Sequence, residues 1–121
     1  MKYLCLIYSS EAEEAKFTPE QHGALMKDYG AFTQAIMASG NYIGGNPLQP
    51  IATATSVRVR DGKTLATDGP FAETREQLGG YYLIESANLD EAIGIASRIP
   101  GAKYGTIEVR PIMVIPMPAQ S

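Results

Sequence analysis

Every position of Tyr3-Leu4-Cys5-Leu6-Ile7-Tyr8 is apolar or aromatic, and Tyr81-Tyr82-Leu83-Ile84 repeats the pattern. Successive side chains of a strand point to opposite faces, so a sheet containing these runs must be covered on both sides. The sequence offers only two helices to do this. Thr18-Pro19-Glu20-Gln21 predicts the start of the first: Thr18 caps, Pro19 suits the first turn, and Gln21 stands where a capping-box partner belongs. Leu25, Tyr29, Phe32 and Ile36 follow at helical spacing, and Gly40 supplies a left-handed end. The second opens at Asn88-Leu89-Asp90-Glu91, with Leu89, Ile93, Ala96 and Ile99 as its expected stripe and Pro100-Gly101 as its stop. Two helices cover one face of the sheet. The other needs a partner, and a second copy of the chain would supply one.

Between the helices, Tyr42 and Ile43 predict a short strand before a turn-rich break, Gly44-Gly45-Asn46-Pro47. Val57 and Val59 alternate with Ser56, Arg58 and Arg60, and Asp61-Gly62 marks a tight hairpin returning through Lys63 to Thr67. Strands are expected over Gly80–Glu85 and Thr106–Val114, a loop over Ser9–Phe17, and a frayed tail over 115–121. The order strand, helix, strand, hairpin, strand, helix, strand defines an α+β chain. It predicts a ferredoxin-like split βαβ plan with an extra β-hairpin, an antiparallel sheet and two helices on one face. The 121 residues form a single domain, large enough for a core without disulfide or metal.

A net charge of −3 argues against direct nucleic-acid contact and against anionic membranes, since both need a basic surface. No run approaches transmembrane length and no signal peptide is recognised, so a cytoplasmic location is expected. Cys5 lies inside an apolar run and reads as a buried packing residue. One His and one Cys, far apart, give no zinc site, and no Gly-rich phosphate loop or nucleophile elbow occurs, so no metal or cofactor is expected.

The stretch richest in chemistry is Asp68-Gly69-Pro70-Phe71-Ala72-Glu73-Thr74-Arg75, a stiff polar loop leading into the Gly80 strand. Asp68 is a turn former or a functional carboxylate. Phe71 lines a pocket or anchors the loop. Glu73 and Arg75 pair with each other, worth at most about 1 kcal/mol if exposed, or bind a ligand. Arg58, Arg60 and Arg110 would suit an anionic ligand if they shared a face. His22 belongs to the series leading to Leu25, Tyr29 and Phe32, which predicts an inward ring. The positive end of the helix would keep that ring neutral and usable as a base.

Asp68 to Phe71 reads D-G-P-F. With Glu73-Thr74-Arg75-Glu76-Gln77-Leu78-Gly79-Gly80-Tyr81-Tyr82 and Ile107-Glu108-Val109-Arg110-Pro111, it resembles the DGPF branch of the YCII-related proteins, from about Met1 to Val114. The resemblance implies a homodimer, a dimeric α/β barrel. It also implies a catalytic pair, His22 with Asp68, of the kind proposed for better-studied relatives. One relative dehydrochlorinates an aromatic substrate, which suggests a cofactor-independent lyase or isomerase acting on a small anionic or aromatic molecule. The competing implication is a small-molecule-binding or regulatory module, because DGPF proteins are commonly encoded beside alternative sigma factors. Arg58, Phe71, Glu73 and Arg75 would then carry the ligand.

Overall fold

The computed structural model describes residues 1–116. β1 (Lys2–Ser9) is followed by a one-turn α1 (Glu11–Glu14) and the long α2 (Pro19–Ala38). Next come β2 (Tyr42–Pro47), the hairpin β3 (Thr55–Arg60) and β4 (Lys63–Asp68), β5 (Gln77–Glu85), α3 (Leu89–Ser97) and β6 (Thr106–Pro111). Four strands form one antiparallel sheet in the order β2-β5-β1-β6, and β3-β4 stand apart as a two-stranded sheet. This is the ferredoxin-like α+β plan with its additional hairpin.

Register decides which side chains meet the helices. Cys5 stands between Tyr82 and Val109, and Tyr3 between Ile84 and Pro111. Tyr3, Cys5, Ile7 and Ile84 therefore share a face, and they are buried against Phe32 and Ile36 of α2 and Ala92, Ile95 and Ala96 of α3. Burial pushes the Cys5 thiol up to about 11, so it stays neutral and serves as packing. Tyr29 braces the far end: its hydroxyl accepts the Gly101 N–H at 3.1 Å, and burial raises its pKa to about 12. Tyr82, also raised by burial, shares a 2.7 Å hydrogen bond with Thr33 of α2.

The opposite face of the sheet carries Leu4, Leu6 and Tyr8 of β1 beside Tyr81 and Leu83 of β5. These are half-buried with no helix over them. The helix-free apolar face read from the sequence is thus present.

Several local expectations change. Thr18 and Gln21 form the capping box, but α2 is exposed from Pro19 to Asp28 except at Leu25, so His22 faces solvent rather than the core. Burial on α2 is confined to Phe32 and Ile36, with Tyr29 partly buried against the core, so the first two turns of the helix extend past the packed face. The stripe on α3 is Ala92, Ile95 and Ala96, continued by Ile99 beyond the helix end; Leu89 and Ile93 are exposed. Both sets have helical spacing and share Ala96 and Ile99; Ala92 and Ile95 take the buried places expected for Leu89 and Ile93.

Gly44-Gly45-Asn46-Pro47 is strand, not a break, because pairing with β5 overrides its turn composition. A Cβ on Gly45 would lie 2.7 Å from the Tyr81 carbonyl oxygen and 2.9 Å from the Tyr82 ring, so the glycine admits the tyrosine pair. Ser9–Phe17 contains α1, capped by the Ser10 side chain, and β6 stops at Pro111 rather than Val114. Of the expected frayed tail, residues 117–121 lie outside the described residues.

Candidate functional site

The Asp68–Phe71 loop is built as a corner. Asp68 ends β4 opposite Thr55. Gly69 then adopts φ 98°, a conformation that disfavours any side chain. Its N–H donates to the Ala54 carbonyl at 2.7 Å, and its own carbonyl accepts the Ser56 hydroxyl at 2.8 Å. These bonds close the root of the hairpin, and Pro70 stiffens the exit. Phe71 is thereby held out at the lip of a cleft and is 82% exposed.

The cleft has a volume of about 620 Å³. Tyr8 and Leu78, which face each other across β1 and β5, line it at the sheet. The segment from Leu48 to Ser56 forms one wall, and the loop from Pro70 to Glu76 forms the other. A compact network ties these parts together. The Glu11 carboxylate accepts the Ile51 N–H at 3.0 Å, while the Glu11 N–H donates to the Gln77 side-chain oxygen at 2.9 Å. The Gln77 amide in turn donates to the Thr74 carbonyl at 2.6 Å. The start of α1 thus fastens both walls to β5, which fixes the cleft's shape.

Its chemistry is mostly apolar: Tyr8, Leu48, Pro50, Ile51, Pro70 and Phe71 contribute much of the lining. Gln49, Thr53, Thr55, Ser56, Thr74 and Gln77 add neutral polar residues. Glu76 brings the charge, and neither lysine nor arginine lines the cleft.

Of the residues singled out in the sequence, Phe71 lies in this lining. Glu73 and Arg75 sit exposed on the same loop outside it, and no ion pair joins them. Arg58 is exposed on β3 opposite Leu65. Arg58 and Arg60 belong to the hairpin and Arg110 to the larger sheet, so the three do not share a face. His22 packs its ring 5.5 Å from Phe17, which in turn meets Tyr104 at 5.4 Å. Neither His22 nor Asp68 lines the cleft, and no hydrogen bond or ion pair joins them. Sequence reasoning did not single out Tyr8, Glu11, Glu76 and Gln77. Glu76 and Gln77 directly follow the Asp68–Arg75 loop, and that adjacency was the available signal.

Among the described residues, no three His, Cys, Asp or Glu side chains are grouped to hold a metal ion, and no helix is long and apolar enough to cross a membrane.

Fold and cleft together define a small ferredoxin-like α+β protein with a pocket at the root of an inserted hairpin. The sequence profile of the YCII-related domain matches residues 1–116, and the chain belongs to the YCII-related family. It is 37% identical over 114 residues to an uncharacterised protein of Rhizobium meliloti (strain 1021), covering 93% of this chain and 92% of that one. A solved structure similar to it is 5-chloro-2-hydroxyhydroquinone dehydrochlorinase from Burkholderia phenoliruptrix AC1100, in complex with 2,5-dihydroxybenzoquinone. That likeness covers 93% of this chain and 94% of the other, with a TM-score of 0.48 and 13% identity.

Proposed function

We propose that this protein binds a small organic molecule with an apolar, ring-sized body in the cleft between the hairpin root and the β1–β5 edge. The observation that carries the reading is the lining itself. Apolar and aromatic residues predominate beside a few neutral polar residues and one glutamate, with no lysine or arginine to receive an anion. Such a site gains affinity from burying an apolar body and orientation from a few polar groups. An anionic ligand would meet Glu76 with no compensating arginine, so the aromatic alternative is favoured over the anionic one. Proton transfer by His22 and Asp68 has no part in this reading, because both lie outside the lining.

Calorimetric titration with two probes sharing one ring system tests it. Naphthylmethanol should bind with a Kd on the order of 0.1–1 mM, as expected for a fragment of that size. Naphthoate should bind more weakly. Ala72→Trp, which adds bulk at the exposed lip, should block naphthylmethanol. Equal or tighter binding of naphthoate would contradict the proposal, as would naphthylmethanol binding that survives the tryptophan.

The helix-free face supports a second element of the reading, a homodimer. Leu4, Leu6, Tyr81 and Leu83 form one apolar strip on that face, and a second copy packed sheet to sheet would cover it. The 13.0 kDa chain should sediment as a dimer at micromolar concentration, and Leu6→Glu should shift it to the monomer. A wild-type monomer under the same conditions would rule the dimer out.

A further inference from the structure

We infer that Glu76 makes the cleft selective for an organic amine, a ligand that places a protonated nitrogen beside an apolar body. The inference rests on the cleft being a ligand site and specifies what that site prefers. Glu76 is half-buried at the foot of the Pro70–Glu76 wall. One of its carboxylate oxygens, Oε1, accepts the Thr106 hydroxyl at 2.9 Å, which holds the group in place from β6. No lysine or arginine pairs with it among the described residues, and its second oxygen has no protein donor there. A carboxylate fixed at one oxygen and open at the other is a pre-oriented acceptor. A charge-assisted hydrogen bond from an ammonium group to that open oxygen is stronger than one from a neutral donor.

Two further features favour the same ligand. The rings of Tyr8 and Phe71 line the cleft, and aromatic faces attract ammonium groups. The lining contains no cation to repel an amine, and the chain as a whole carries a charge of −3. Carboxylate, aromatic walls and the missing cation converge on one chemical class.

The test compares naphthylmethylamine, cationic at pH 7, with naphthylmethanol, its uncharged isostere. Wild-type protein at low salt should bind the amine roughly tenfold more tightly, the effect of one charge-assisted hydrogen bond. In E76Q the two probes should fall within about twofold of each other. The glutamine oxygen can still accept from Thr106, so the fold should hold. Should E76Q fail to fold, raising the salt on the wild-type protein reads the same contact, because screening should shrink the preference. Equal affinities in the wild type overturn the inference, as does a preference that persists in E76Q or at high salt. Naphthylmethanol binding blocked by Ala72→Trp would leave the cleft reading standing in those cases. Failure of naphthylmethanol to bind would instead remove the cleft reading itself.

Discussion

Gly105→Ala is expected to destabilise the protein by on the order of 3 kcal/mol, a large share of the roughly 5–15 kcal/mol that holds an ordinary domain folded. Gly105 lies between the short helical turn after α3 and the start of β6. A Cβ there would stand 1.9 Å from the Tyr8 carbonyl oxygen and 3.0 Å from the Ser9 Cα. Both are backbone atoms, so no side chain can rotate away. Relief requires the end of β1 to separate from β6, where Tyr8 pairs with Thr106. Tyr8 also lines the cleft, so the same shift would distort the site. Urea unfolding reads the cost, and a loss below about 0.5 kcal/mol would show that the two backbones are not this close.

Ile84→Ala comes next, with an expected loss of about 3–4 kcal/mol. Ile84 is fully buried, stands opposite Tyr3 on one side and Tyr42 on the other, and faces the helices. Truncation leaves a cavity that the surrounding rings cannot fill without leaving their own contacts. The neighbouring Leu83 gives the contrast. It points to the helix-free face and is half-buried within the chain, so Leu83→Ala should cost the monomer about 1 kcal/mol. Its larger effect should fall on dimer dissociation. Comparable losses for the two variants in a monomeric sample would contradict the assignment of faces.

Much of this architecture was legible because it rests on local rules. The Thr18–Gln21 capping box forms as its sequence dictates. Asp61 and Gly62 both take positive φ, 52° and 73°, as a two-residue hairpin turn requires. The continuous apolar runs identified the two central strands of the larger sheet and its uncovered face. What failed depended on tertiary pairing. Gly44–Pro47 has the composition of a turn yet is strand, because β5 supplies the hydrogen-bond partners. His22 continues the helical spacing but lies seven residues before Tyr29, the first α2 side chain packed against the core, so periodicity alone predicts an inward ring. The part of the wall from Leu48 to Ala52 lies outside the alternation that marks the hairpin. It becomes part of a site only because Glu11 and Gly79, distant in sequence, bond its backbone at Ile51 and Leu48.

The cleft at the hairpin root is the place where, on the proposed function, a small molecule binds. Amide chemical-shift mapping with naphthylmethanol tests it most directly. The largest shifts should fall on Tyr8, Thr53–Ser56 and Phe71–Leu78, with little change near His22. A shallow groove of about 400 Å³ bounded by Met1, Lys2, Glu85 and Ile112–Val114 serves as an internal comparison. Shifts concentrated in that groove or around His22, with the hairpin root unmoved, would contradict the claim.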